Sequence, residues 1–322
     1  MAQVHHDLRT LGLDRVRAQE DDPQLVDAAH AVLTDDSLER SFIYSGFCLL
    51  ALPYRQVTRK DPASGAVLPA KWANTWSDTT LELEPGYLPG RHNEEPLGVP
   101  YGNLARMILI YLQTRAVHST SPRIEIGPSM RAWMQRMQMA TSGRHYRMLK
   151  EQMLRFTASR MTFSWPAGSG RVGFHRVNLI TNGVLAPETL DGDSLQGRLF
   201  AAEVELDGDF WRALQRHSVP VEEAAVAQLS GNAMALDIYV WLAYRLHALD
   251  RAVKVPWPAL HQQFGGSYKN RHHFKERFKR PVQLALACYE DANVDVDPDV
   301  GMILHPSRPP IAKRQALVGA RR

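Results

Sequence analysis

Two stretches of the chain gather cations at helical spacing with almost no acids among them. In the first, Arg144, Arg147, Lys150 and Arg155 recur every few residues; in the second, Lys269, Asn270, Arg271, His272, Lys275 and Lys279 cluster. Lys and Arg in such rows neutralise phosphates and release counterions, which makes binding steeply salt dependent. An Arg in the first turn of a helix can reach O6 and N7 of guanine with two hydrogen bonds, and Asn270 could pair in the same way with adenine. Arg171, just after Gly168-Ser169-Gly170, is placed where a hairpin tip would touch backbone or minor groove. An exposed hairpin Arg without a role is an equal reading of that residue.

Catalytic chemistry finds no comparable footing. No GxxxxGK[ST] run exists to cradle a triphosphate, and no Gly-x-Ser-x-Gly elbow occurs. The two cysteines, Cys48 and Cys288, are far apart in sequence and lack a His-x3-His partner, so neither a disulfide framework nor a structural zinc is expected. Cys288 lies in an apolar helix and reads as core. His5-His6-Asp7 reads as plain mobile terminal sequence. His272 and His273 are adjacent, hence about 100° apart on a helix and poorly set to share an ion. They also lack the His-apolar-His spacing of a metal-dependent nicking enzyme. Trp133, Trp211, Trp241 and Trp257 fall at helical positions and read as core aromatics. No enzyme activity, cofactor or metal is expected.

The charge of the chain is unevenly spread. The whole carries 38 basic and 34 acidic residues, a net +4 over 322 residues. Residues 1–99 hold 9 basic against 15 acidic, residues 100–180 hold 12 against 2, and residues 251–280 hold 8 against 1. Concentrated positive zones are the footprint of a polyanion binder, although solvated helix faces would give the same counts. No apolar run approaches the roughly 18 residues of a membrane span, and no secretion signal opens the chain, so a cytoplasmic protein is expected.

The elements that must carry these residues come in a repeated order. Pro100 opens an apolar helix over Tyr101–Val117, followed by the short extended Arg123–Ile126. A helix opened by Pro128 runs through Met139, and the turn Ala140–Gly143 leads into a longer helix from Arg144 to Arg160. Thr162–Trp165 and Arg171–Ile180 then read as a hairpin. Downstream, Ala233–Leu249, Val253–Val255, Trp257–Phe264, Tyr268–Tyr289, Asn293–Val296 and Val300–Leu304 repeat that order. Helix, strand, helix, turn, helix, hairpin is the order of a winged helix. The expected fold class is α+β, mainly helical, with two tandem winged-helix (helix-turn-helix) domains.

Five segments follow: an acidic, partly disordered leader (1–40); a first winged-helix domain with added N-terminal strands (41–184), Phe42–Val57 among them; a Gly/Asp-rich linker (185–198); a second winged-helix domain (199–308) that includes a strand at Leu199–Leu206; and a basic flexible tail (309–322).

The helix faces can be tested by angle. In the first long helix Tyr146, Leu149, Met153 and Phe156 share one side, with Arg144, Arg147 and Arg155 opposite and Lys150 on the flank. In the second, Phe274, Phe278, Val282 and Ala285 share a side, with Lys269, His272, Lys275 and Lys279 across from it. A solvated helix would mix signs as i,i+4 pairs. One basic helix alone decides nothing; two in the recognition position of one repeated order point to DNA.

At these residues a resemblance enters. Gly98-Val-Pro-Tyr-Gly-Asn-Leu-Ala-Arg-Met-Ile-Leu-Ile-Tyr-Leu-Gln-Thr114 with Glu125-Ile-Gly-Pro-Ser-Met130 is similar to the RepA-type plasmid replication initiators of proteobacteria. So are Ala233–Leu246, Trp257–Gly265, Phe274-Lys-Glu-Arg-Phe278 and the Leu304–Ser307 ending. The turn Gln138-Met139-Ala140 departs from the Gly-containing form usual there. The resemblance implies binding to repeated origin sequences (iterons) in double-stranded DNA and recruitment of the host initiator and replicative helicase. It also implies a monomer–dimer switch, with dimers repressing the protein's own promoter. A winged-helix repressor without a replication role would carry the same DNA-binding residues, and a DNA-processing enzyme is the more distant alternative.

Overall fold

The computed structural model describes residues 2–37, 39–88, 96–140, 142–185 and 200–311; the expected linker falls almost wholly outside them, as does the tail beyond residue 311. The architecture is α+β. Helix makes up 46% and strand 24%, a mixed balance in which the helical lead is modest.

The leader is folded rather than partly disordered. Helices α1 (Ala2–Leu11), α2 (Leu13–Gln19) and α3 (Pro23–Leu33) bury Val4, Leu8, Val16, Leu25, Val26, Ala28 and Ala29. Asp22 caps α3, its carboxylate accepting from the Gln24 N–H at 3.2 Å, and Pro23 fills the first helical position where no N–H is needed. These apolar residues are sparse enough to look like a polar tail in composition. At i,i+4 spacing they still give each helix one buriable side.

Strand β1 (Arg40–Tyr44) follows, then a short helix α4 (Ser45–Leu49) where continuous strand was expected. Phe47, Cys48, Leu50 and Leu52 are all buried, so alternation has no solvent side to serve there. Hairpin β2 (Thr58–Lys60) and β3 (Val67–Pro69) stands apart from β4 (Trp72–Trp76) and β5 (Thr79–Glu84). Helix α5 (Gly102–Val117) is buried over nearly its whole circumference from Leu104 to Gln113. It leads to β6 (Arg123–Glu125), α6 (Gly127–Arg136) and α7 (Gly143–Ala158). At the turn between α6 and α7, Gln138 has φ 52°, the left-handed region that a glycine adopts at no cost.

The hairpin β7 (Arg160–Pro166) and β8 (Val172–Val177) extends the β4–β5 pair to a four-stranded sheet of order β4-β5-β7-β8. Strand β9 (Ile180–Leu185) then pairs with β10 (Phe200–Leu206), which also pairs with β6. The strand expected to open the second domain thus closes a sheet of the first region. The reason is register: Val204 faces Ile124 across the ladder, and burying Val204, Ile124 and Leu206 together requires that pairing.

Helix α8 (Gly208–His217) and β11 (Ser218–Glu222) come next, and β11 pairs antiparallel with β1, Arg40 opposite Glu222. Helices α9 (Glu223–Leu229) and α10 (Ala233–Arg245) follow; α10 is buried from Met234 to Ala243 and forms, with α5, the centre of the core. The last region comprises β12 (Val253–Pro256), α11 (Trp257–Phe264), α12 (Arg271–Ala287), β13 (Val294–Asp297) and β14 (Gly301–Leu304), with strand order β12-β14-β13. The leader docks on α12, where the His5 Nε2 donates to the Ala287 carbonyl at 2.9 Å. His5 is buried there, so it is a docking group and not loose terminal sequence.

Candidate nucleic-acid interface

Helix α7 sits as its apolar row dictates. Leu149, Met153 and Phe156 are buried and Tyr146 is half-buried, while Ser142 caps the amino end by accepting from the His145 N–H. Arg144 and Arg147 are exposed and form no ion pair among the described residues. Lys150 is half-buried on the flank.

Arg155 does not belong to that exposed row. Its side chain is 8% exposed, with Nε and Nη2 donating to Glu151 Oε1 at 3.0 and 2.7 Å. Nη1 donates to the Val99 carbonyl at 3.3 Å, and the guanidinium lies 5.1 Å from the Tyr101 ring centroid. Gly98 gives room for this approach: a Cβ there would come within 2.3 Å of Nη1 and the guanidinium would have to shift. Next to it, Gln152 Oε1 accepts from the Tyr101 N–H at 2.9 Å. Arg155 therefore clamps residues 98–101 onto α7 and is withdrawn from any ligand. A helical wheel places it opposite the core, but a wheel does not know that another segment covers that flank.

Helix α12 is held by an aromatic nest. The Phe274 and Phe278 rings stand 4.9 Å apart, and Trp257 and Phe264 pack edge-on or tilted against them. Asn270 is the N-cap, its Oδ1 accepting from the His272 N–H at 2.8 Å. That bond occupies the oxygen that two-point recognition of adenine would use. Lys269, Arg271 and Lys279 are exposed without ion pairs among the described residues, and His272 lies 3.6 Å from Glu276. Lys275, expected to be outward and free, is half-buried. Its Nζ donates to the Pro298 carbonyl at 3.1 Å and sits 5.1 Å from the Trp257 ring centroid. It ties α12 to the β13–β14 turn, which Trp257 Nε1 also holds through the Pro298 carbonyl at 2.9 Å.

Arg171 is exposed at the tip of the β7–β8 hairpin. Two cations absent from the sequence reading emerge near these elements. Arg176 is exposed on β8, and Arg280 on α12 is taken by the leader, donating to Asp22 Oδ2 at 2.8 Å and to Gln24 Oε1. The acidic run Glu20-Asp21-Asp22 was the one sequence signal for that contact.

The remaining chemistry is sparse. Burial pushes both thiols, Cys48 and Cys288, far up from their ordinary range, which keeps them protonated and unreactive. His175, Asp207 and Asp209 bring ligand atoms within 4.8 Å of one another. Asp207 already caps α8 by accepting from Phe210 N–H at 2.8 Å, and Asp209 pairs with Arg212. Both carboxylates are engaged with their own helix. No described helix is long and apolar enough to cross a membrane.

Residues 99–257 match the family described as plasmid encoded RepA protein. No curated protein matches the chain. Among solved structures, domains 2 and 3 of RctB, as selenomethionine derivatives, are 10% identical with a TM-score of 0.48, covering 83% of this chain and 98% of that one. A second structure of RctB domains 2–3 is 10% identical with a TM-score of 0.42, covering 78% and 89%.

Proposed function

Because the chain belongs, across residues 99–257, to the family of plasmid-encoded RepA proteins, we propose that it is a replication initiator that binds duplex DNA at repeated origin sequences and catalyses nothing itself. The carrying observation is the pair α7 and α12. Each packs its apolar row inward and leaves uncommitted cations at its amino-terminal end: Arg144 and Arg147 on one, Lys269 and Arg271 on the other. Each also follows a helix, strand and shorter helix and precedes a hairpin. In this reading both regions are winged-helix modules, and each long helix lies in a major groove of one repeat. Lys150 and Lys279 neutralise phosphates at the groove edges, His272 offers one a ring N–H, and Arg171 on the first hairpin touches the backbone.

The positioning role of Lys275 and Arg155 fits the same reading from behind, since each fixes the angle at which its helix is presented. Self-association, repression of its own promoter and contacts with a host initiator and replicative helicase belong to the proposal as well. The test is a gel-shift series with the repeats of the parent origin against random duplex at physiological salt. Tight binding confined to the repeats is expected. Equal affinity for both would end the sequence-specific reading, and ATP hydrolysis or strand nicking by the pure protein would end the non-catalytic one.

A further inference from the structure

The β7–β8 hairpin runs past the sheet that carries it. Strand β5 accompanies β7 only through the pairs from Glu84↔Arg160 to Thr80↔Ser164. Beyond them β7 and β8 pair only with each other, at Trp165↔Gly173 and Pro166↔Val172. The overhang closes through Gly168, Ser169 and Gly170, all at positive φ, with the Arg171 N–H donating to the Gly168 carbonyl at 2.9 Å. The result is a projecting ribbon two strands wide.

Its two faces differ. On the inner face Met161, Phe163 and Val177 are buried, while Trp165, itself 42% exposed, closes its ring over Gly173, where a Cβ would come within 2.7 Å of it. On the outer face Val172 and Phe174 stand two residues apart, with Pro166 beside Val172 across the ladder. Val172 is 68% exposed and Phe174 61%. Cations frame them: Arg171 at the tip, and Arg176 with its guanidinium 5.3 Å from the Phe174 ring centroid. Along β7 and β8 no acidic residue occurs; the acids on this face, Glu82 and Glu84, stand on β5 at the base of the hairpin, with Glu84 paired to Lys71 and Arg160.

An apolar strip edged by arginines, with no acid on its element, suits a partner that is anionic at its margins and flat and apolar within. Duplex DNA presents that surface when a base step opens toward the minor groove. We propose that Pro166, Val172 and Phe174 form a wedge that enters the minor groove and partly unstacks one base step, while Arg171 and Arg176 hold the flanking phosphates. The proposal rests on the duplex-binding reading and adds to it a cause of bending: apolar wedges of this kind kink DNA by about 20–90°. The long helices would supply the affinity and the wedge the deformation.

The test uses the full chain and a short random-sequence duplex at low salt, end-labelled for energy transfer and carrying 2-aminopurine to report unstacking. The wild type should shorten the end-to-end distance and raise the 2-aminopurine signal. V172S/F174S changes two exposed side chains. It should keep its thermal midpoint and bind within about threefold of wild type, because phosphate contacts dominate affinity, yet leave the duplex straight and stacked. A variant that bends DNA as the wild type does overturns the wedge. So does a wild type that binds without bending. If V172S/F174S instead breaks up a dimer while bending is unchanged, the strip is a contact between copies and the proposal fails. Wild type that retains no duplex at all removes the duplex reading itself, and the wedge with it.

Discussion

The Asp237 carboxylate receives two parallel hydrogen bonds from Arg106, Nε to Oδ1 and Nη2 to Oδ2, each 2.7 Å, across 131 positions of sequence. The pair is buried where α5 crosses α10, and the same guanidinium also donates to the carbonyls of Leu52, Pro53 and Gly102. One cation thus joins the two regions and satisfies backbone oxygens that would otherwise lack donors.

Removing one partner leaves an uncompensated buried charge. Arg106→Met or Asp237→Leu should each cost about 3–5 kcal/mol in urea unfolding. The double variant should recover only part of that loss, because the three carbonyls remain without their donor. Singles that cost less than about 1 kcal/mol would show the bridge to be incidental.

Arg155 and Arg147 should separate cleanly. Arg155→Gln should lower stability by about 1–3 kcal/mol, since Glu151 and the Val99 carbonyl lose their donor. Arg147→Gln should leave the thermal midpoint unchanged and weaken duplex binding, with the salt slope reduced by about one. Charge reversal at Arg147 should abolish specific binding. If Arg147 variants unfold the protein while Arg155 variants only lose DNA, the two roles are assigned the wrong way round.

Glu222 makes stability depend on pH. Burial, reinforced by Asp35, Glu290 and Asp291, pushes its carboxyl up to about 7. The folded protein therefore keeps a proton that the unfolded chain, with its Glu near about 4.3, has released. The stability this contributes is complete below about pH 4.3 and disappears as pH rises through about 7. Glu222→Gln should match wild type near pH 4 and exceed it by roughly 2 kcal/mol at pH 8. A stability difference that stays flat between those values would mean the carboxyl titrates normally.

Gln138 occupies a glycine's conformation with φ 52°. Gln138→Gly should raise stability by about 0.5–1 kcal/mol, the relief of left-handed strain outweighing the extra freedom of the unfolded chain. A lower melting temperature for that variant would place the backbone of this turn elsewhere.

Much of this was legible from residue order. Continuous apolar residues placed α5 and α10, and the spacing of Leu149, Met153 and Phe156 oriented α7. The departure from glycine at Gln138 marked the turn whose backbone is left-handed. What failed was everything that depends on a second segment. Nothing in the wheel around Arg155 reveals Gly98–Tyr101, and nothing beside Lys275 reveals the Pro298 carbonyl. The strand at Phe200–Leu206 shows its strand character in sequence but not its choice of β6 as neighbour. The leader's apolar residues, Val4 and Leu8 among them, were too few to outvote its acids in composition.

The pairing of β1 with β11 carries a consequence for synthesis. Arg40–Tyr44 leaves the ribosome long before Ser218–Glu222, which it needs as its ladder partner. At about 5–20 residues per second the gap is on the order of 10–35 s. Arg106 waits similarly for Asp237, and His5 for the Ala287 carbonyl. The nascent chain therefore passes a long interval with its first cationic helix made and its framework unclosed. Only the finished polypeptide can present both helices together, so a truncated translation product would lack the geometry that holds them.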